Sequence, residues 1–343
     1  MHVSGNHLVD DRTGAVVQLR GINQMAAGGC TGTSHQPAII YGPSGPSSLS
    51  ALRAWHVNAV RLSVNEDCWL GINGVPSATS GARYRDALIA YVNLLTSHDY
   101  YVIFDLHVNA PGSLISAAEQ PMADEDHAPT YWRSVARTFK RNPAVIFEPY
   151  NEPRITTTDA ATADPWKCWL NGCEATEVSP ARRAFEPEDW KLAGMQQLVD
   201  VIRSTGAHNV ITLSGLNLAN DLSGILSHLP HDPHRQLAAT FHNYGASATQ
   251  NEGCGPSCWN TTIAAVAAKM PVITDEMGQP DCGTSYVAQY MDWADAHGVS
   301  YLPWGWELWG CAAHAYGLLT DWSGTPNSYG LVFYDHFAAR AKR

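Results

Sequence analysis

Short runs of apolar and β-branched residues alternate along the chain with longer segments in which apolar residues recur every three or four positions. A continuous apolar run bounded by turn residues reads as a strand buried on both faces, and the three-to-four spacing reads as an amphipathic helix. Eight runs predict strands: Val17–Ile22, Ala59–Val64, Tyr101–His107, Val145–Asn151, Val210–Ser214, Ala238–His242, Val272–Glu276 and Tyr301–Trp306. Helices are predicted at Ser48–Trp55, Tyr84–Ser97, Thr130–Lys140, Asp189–Thr205, Thr262–Lys269 and Tyr286–His297, with a weaker helical pattern at Leu222–Leu229. Gly206 and Gly298 stand where two of these helices should stop. Residues 1–16 predict a hairpin turning at Arg12-Thr13-Gly14 and closing the bottom of a barrel. Eight strands with helices between them predict an α/β fold, a (β/α)8 TIM barrel, as one domain over residues 1–343. Its long loops would lie on the catalytic face. The longest irregular stretch, Pro153–Pro187, follows the fourth strand, and loops of that length in a compact domain are usually functional.

Barrels of this kind place their active sites at the C-terminal ends of the strands. Polar and aromatic residues gather there in this sequence, while the strand interiors stay apolar. The second strand carries Arg61 and leads into Asn65-Glu66-Asp67, and the third ends in Asp105-Leu106-His107. The fourth ends in Asn151-Glu152-Pro153, the sixth in His242-Asn243-Tyr244, the seventh in Asp275-Glu276 and the eighth in Trp304-Gly305-Trp306-Glu307. Glutamates at the ends of strands four and seven would face each other across the barrel mouth. That is the pair glycoside hydrolysis requires: one acid protonates the leaving oxygen and the other carboxylate attacks the anomeric carbon. A separation of about 5–5.5 Å gives retention and a wider gap gives inversion. A cation such as Arg61 would keep the attacking group ionised, and its charge would in turn raise the pKa of the acid. Glu148 shares the strand parity of Glu152 and is expected to be a buried carboxylate paired with an arginine.

With these residues in this order, the chain resembles glycoside hydrolase family 5, the cellulase-type family of the clan that carries its two glutamates on strands four and seven. The resemblance runs from Gln18-Leu19-Arg20-Gly21-Ile22-Asn23 to the last helix and is strongest at Val145-Ile146-Phe147-Glu148-Pro149-Tyr150-Asn151-Glu152-Pro153. It implies Glu152 as general acid/base and Glu276 as nucleophile. Asn151 would bind the hydroxyl next to the anomeric centre, and Arg61 and Tyr244 would orient Glu276. His107 and His242 would bind substrate and tune Glu152. Trp306 would be the platform under the reactive sugar, with Trp304 as the alternative. The implied activity is a retaining, cellulase-like endo-β-glycanase acting on plant-type polysaccharides. The sequence departs from the commonest cellulase pattern at Val64-Asn65-Glu66-Asp67-Cys68-Trp69-Leu70-Gly71. That polar stretch suggests an alternative: an exo-acting glycosidase of the same mechanism, with Glu66 or Asp67 binding a terminal sugar in a blocked pocket.

Composition narrows the partners. The 343-residue chain carries 21 Lys plus Arg against 32 Asp plus Glu, a net charge of −11, and has no basic run. A carbohydrate substrate fits this balance, whereas nucleic acid and anionic membranes do not. No apolar run is long enough to span a bilayer. A monomer without cofactor or metal is expected. His228, His231 and His234 have ligand-like spacing, but a Pro- and Asp-rich turn interrupts them. The eight cysteines include no CxxC pair, and with 15% charged residues they suit a secreted protein whose leader is absent from this sequence. Two pairs are close in sequence and two lie in loops after neighbouring strands. The expected bridges are Cys30–Cys68, Cys168–Cys173, Cys254–Cys258 and Cys282–Cys311.

Overall fold

A computed structural model of the chain describes residues 1–31, 38–156, 162–175, 190–245, 254–311 and 316–341. Residues 157–161 and 176–187 of the Pro153–Pro187 stretch therefore lie outside the described residues. The eight parallel strands are β1 (Gly21–Met25), β2 (Ala59–Asn65), β3 (Tyr101–Val108), β4 (Val145–Glu148), β5 (Ile211–Ser214), β6 (Leu237–Tyr244), β7 (Val272–Gly278) and β8 (Ser300–Pro303). They pair in sequence order in one sheet. A parallel bridge between Arg20 and Tyr301 brings its two edges together, with the Tyr301 amide donating to Leu19 O at 2.9 Å. The TIM barrel expected from the alternation of runs is present.

The structure departs from the sequence pattern in four places. The first strand starts at Gly21 rather than Val17, and at Gly21 the backbones run so close that an added Cβ would lie 2.4 Å from Ala59 O. The N-terminal hairpin is a three-stranded antiparallel sheet of His2–Ser4, His7–Val9 and Val16–Val17. The helix expected from Asp189 begins only at Met195, because Trp190–Leu192 pairs with Cys173–Ala175 in a small ribbon above the barrel. The weak pattern at Leu222–Leu229 forms only the single 3-10 turn Ile225–Ser227.

The strands' period of two sorts their side chains into two cores. Outward-facing Val60, Leu62, Val64, Val102, Phe104 and Phe147 pack under the helices. Inward-facing Ala59, Ile103, Ile146, Val210, Ala238, Ile273 and Leu302 fill the lower barrel with Leu19, and Met1 and Leu8 of the N-terminal sheet plug it from below. Two residues further along the inward parity the chain is no longer apolar. Arg61, Asp105, Glu148, Thr240 and Asp275 stand there, all fully buried. This charged layer lies directly beneath the barrel mouth.

All four expected cystine bridges are formed, with Cα separations of 5.7 Å for Cys30–Cys68, 5.2 Å for Cys168–Cys173, 5.2 Å for Cys254–Cys258 and 5.6 Å for Cys282–Cys311. Among the described residues no helix is long and apolar enough to cross a membrane.

Candidate active site

Arg61 organises the mouth. Its guanidinium is fully buried and donates from Nε and Nη2 to the two oxygens of Glu148, at 2.7 and 2.9 Å. Nη2 also reaches Asn151 Oδ1 at 2.6 Å and Asp105 Oδ2 at 3.0 Å, while Nη1 donates to Glu276 Oε1 at 2.7 Å. A guanidinium suits this position because its planar fork stays charged and addresses several carboxylates in fixed directions. One cation thus stands among Asp105, Glu148, Asp275 and Glu276. It cannot neutralise them all, and buried carboxylates left over take up protons instead. Burial lifts Asp275 well above the carboxylate range and Asp105 to about 6, with Glu148 adding to both.

Glu276 goes the other way. Burial opposes its charge, but His242, Arg61, His107 and the Tyr244 hydroxyl together reverse this and bring it down to about 2. The Tyr244 hydroxyl donates to Glu276 Oε2 at 2.7 Å, so each carboxylate oxygen has its own donor. Glu152 faces it across the cleft. Burial first, and then the negative charge of Glu276, lift its carboxyl to about 8. His242 Nδ1 lies 2.7 Å from Glu152 Oε1 and 3.5 Å from Glu276 Oε2, and burial favours a neutral His242 ring. The facing groups of Glu152, His242 and Glu276 all fall within 4.8 Å of one another. The site therefore holds one ionised and one protonated carboxyl group, close enough to act on the two sides of a single bond.

His107 completes the floor. Burial disfavours its charge, but Asp105, 2.7 Å from Nδ1, raises it to about 9, so an imidazolium faces the cleft. Trp304 lies parallel to this ring, with centroids 5.6 Å apart.

Three sequence expectations need correction. Trp306 is not the platform: β8 ends at Pro303, the chain turns, and the Trp306 ring is buried edge-on against Trp55 with centroids 5.1 Å apart. Trp304, partly exposed, is the indole that borders the cleft. Glu66 and Asp67 do not face a sugar either, because both are fully buried. The chain turns helical over Glu66–Leu70 directly after β2, capped by Asn65 Oδ1 accepting from the Cys68 amide, and Cys68 is tied to Cys30. Asp67 Oδ2 then accepts from the Ser116 amide at 2.7 Å, and Glu66 lies under the loop beside Asp124, burial raising its pKa well above the usual range. Asp67 thus ties the segment after β2 to the loop after β3, and the Cys30–Cys68 bridge ties it to the loop after β1.

One residue escaped sequence reasoning. Glu119, on the loop after β3, reaches into the mouth, where its Oε1 accepts from Asn151 Nδ2 at 2.8 Å and lies 3.4 Å from His107 Nε2. It belongs to no periodic run and no strand end, so no pattern marks it. Asp105 and Asp275 were visible at strand ends, but only their common parity with Arg61 shows that they share its charge.

The family model for cellulase (glycosyl hydrolase family 5) matches residues 10–309. The chain belongs to glycosyl hydrolase family 5. It is similar to the cellulase CelDZ1 of Thermoanaerobacterium sp., 22% identical over 90% of this chain and 70% of that one. It is also similar to the endoglucanase MaCel5A of Microbulbifer sp., 23% identical over 93% of this chain and 55% of the relative. The fold matches the β-glucanase SdGluc5_26A of Saccharophagus degradans, solved in complex with cellotetraose, with a TM-score of 0.68 at 20% identity over 100% and 93% of the two chains. It matches the catalytic domain of the major endoglucanase of Xanthomonas campestris pv. campestris with a TM-score of 0.67 at 15% identity over 97% and 98%. The chain is a glycoside hydrolase, and the double-displacement mechanism with retention is general to its family.

Proposed function

We propose that this family 5 enzyme is an endo-acting β-glucanase in which Glu276 is the nucleophile and Glu152 the acid/base. The observation that carries this reading is the pair itself, with facing groups inside 4.8 Å and opposite protonation. An inverting enzyme needs about 6.5–9.5 Å between its carboxyl groups to admit a water. In the first step a Glu276 oxygen bonds the anomeric carbon while Glu152 passes its proton to the departing glycosidic oxygen. In the second, Glu152 takes a proton from water, whose oxygen displaces Glu276 from the same carbon, and the starting configuration returns. Asn151, held by Arg61, faces the hydroxyl beside the anomeric centre, and Trp304 offers its face to the reactive sugar.

The endo reading rests on what lines the rim. The two carboxyl groups that could have walled off a terminal sugar, Glu66 and Asp67, are enclosed. A second indole, Trp309, is 46% exposed on the β8 loop beside Tyr41 of the β1 loop, ready to stack on a sugar beyond the reactive one. The curated relatives are cellulases and endoglucanases, and the β-glucanase of similar fold holds cellotetraose, which supports a β-glucan as substrate. The four disulfides fit a secreted enzyme in an oxidising setting. The test compares viscosity with reducing ends on a soluble β-1,4-glucan. An endo enzyme lowers viscosity before many ends accumulate. Release of single short products at constant viscosity would return the exo reading.

A further inference from the structure

Glu66 is fully buried, and neither of its carboxylate oxygens has a hydrogen-bond partner. It opens the helical turn Glu66–Leu70 after β2, and the loop after β3 brings Asp124 and His127 against it. Asp124 is fully buried too, but its oxygens are held: Oδ2 accepts from Asn109 Nδ2 and Oδ1 from the His127 amide, both at 2.7 Å. The partly exposed His127 ring turns Nδ1 toward both acids, 3.9 Å from Glu66 Oε2 and 3.7 Å from Asp124 Oδ1. Nδ1 is also 3.3 Å from Ala110 O, a long hydrogen bond. One atom from each of the three side chains lies within 4.8 Å of the others. Two similar groupings, Glu148-His242-Asp275 and Glu152-His242-Glu276, have the Arg61 guanidinium among their acids. Among the described residues no lysine or arginine pairs with Glu66 or Asp124.

Two buried carboxyl groups side by side need positive charge between them, from a shared proton or from a cation. We propose that Glu66, Asp124 and His127 form a site for one divalent cation of the zinc class, which pins the loop after β3 to the segment after β2. Carboxylate oxygen and imidazole nitrogen are zinc donors at about 2.0–2.2 Å. The 3.7 and 3.9 Å separations are within about half an ångström of the edge of a tetrahedron drawn at that radius. Calcium and magnesium prefer shells of oxygen alone, so the imidazole favours zinc. The surroundings suit such a site. Asn109 and the His127 amide fix the direction of Asp124. Asp126 Oδ2 stands 3.8 Å from His127 Nε2, on the far side of the ring from Nδ1, where metal-bound imidazoles commonly meet a carboxylate. Asp126 is exposed, so an ion can enter past it. Burial, and then the charge of Asp124, push the Glu66 carboxyl well above the usual range, so the ion takes the place of a proton. No spacing in the sequence marks this set, because Glu66 is far along the chain from Asp124 and His127.

The test is titration of zinc chloride into the chelator-treated full chain, read by calorimetry in two buffers of different ionisation enthalpy and by thermal melts. The wild type should take up about one zinc ion and release protons as it does so. At a zinc concentration about a hundredfold above Kd its Tm should rise by about 3–4 °C, as mass action gives for a chain of this size. His127→Ala, at a partly exposed position, should weaken uptake at least about tenfold, the least expected when a ligand is lost. Glu66→Gln should do the same, and if that variant does not fold, His127→Ala decides alone. His234→Ala is the control, because His234 stacks on His208 with centroids 3.9 Å apart and could hold zinc adventitiously. Uptake that disappears in His234→Ala, or that survives His127→Ala, would overturn the proposal. So would no uptake by the wild type, and a Glu66→Gln variant that then melts like the wild type would assign the cluster to a shared proton. A rise in Tm with calcium equal to that with zinc would overturn the choice of ion.

Discussion

Glu276 and Glu152 are the same side chain on opposite walls of one cleft, yet their surroundings separate them by several pH units. On the β7 wall, each oxygen of Glu276 receives a donor, from Arg61 below and Tyr244 beside it. On the β4 wall, Glu152 meets a neutral His242, another carboxyl group, and the field of Glu276 itself. The β7 wall stabilises charge and the β4 wall stabilises a proton. Chemical identity therefore says little about role. The number of donors aimed at each oxygen, and the sign of the nearest uncompensated charge, decide it.

Removing the two glutamates in turn breaks the comparison most severely. Glu276→Ala should lower kcat on every substrate by roughly 10⁴-fold or more, the scale of nucleophile deletion in hydrolases, and azide should restore part of the rate with inverted product. Glu152→Ala should cost about 10²–10⁴-fold on substrates that need leaving-group protonation and far less on activated aryl glycosides. Equal losses on both substrate classes for Glu152→Ala would count against the assignment.

The pH profile sharpens the same contrast. The active form has Glu152 protonated and Glu276 ionised. Glu152 is raised, so its active form is complete well below about pH 8 and is lost as pH rises through that value. Glu276 is lowered, so its active form is complete above about pH 2 and is lost as pH falls through it. The kcat/KM of the free enzyme on an unactivated glucan should therefore stay high to near pH 8 and then fall tenfold per unit. A basic limb near pH 5 would mean that the β4 wall does not hold its proton as described.

The smallest effect concerns the two tryptophans at the end of β8. Trp304→Ala should raise KM by about tenfold, the worth of one lost ring-stacking contact, with little change in melting temperature. Trp306→Ala should instead destabilise the fold by about 3–5 kcal/mol, as for other large buried aromatics truncated to alanine. Thermal melts and Michaelis kinetics on both variants would show whether the assignments are reversed.

Much of this was legible before any coordinates. The eight apolar runs declared the barrel, because parallel strands buried on both faces cannot tolerate the polar alternation of an exposed sheet. Asn151-Glu152-Pro153 and Asp275-Glu276 stood at the ends of strands four and seven, where the fold places its chemistry. Trp306 was misplaced because β8 stops at Pro303, three residues before the run of apolar and aromatic residues ends, so strand parity no longer decides which indole faces the cleft. Glu66 and Asp67 looked like exposed loop acids because polarity in a sequence does not distinguish a solvated carboxylate from an enclosed one, such as Asp67 accepting the Ser116 amide or Glu66 beside Asp124.

The sequence by itself determined the order of the strands, the pairing of the cysteines and the residue types at each strand end, since these follow from local pattern and from which loops are neighbours in a closed barrel. Tertiary structure alone decided the protonation of the carboxyl groups around Arg61 and the entry of Glu119 into the site. A pKa depends on every charge within a few ångströms in three dimensions, and a loop side chain's reach depends on where the loop is pinned. Arg61, Asp105, Glu148 and Glu276 are separated by up to 215 residues in the chain, and they set one another's charge only because the barrel brings them within hydrogen-bonding distance of a single guanidinium.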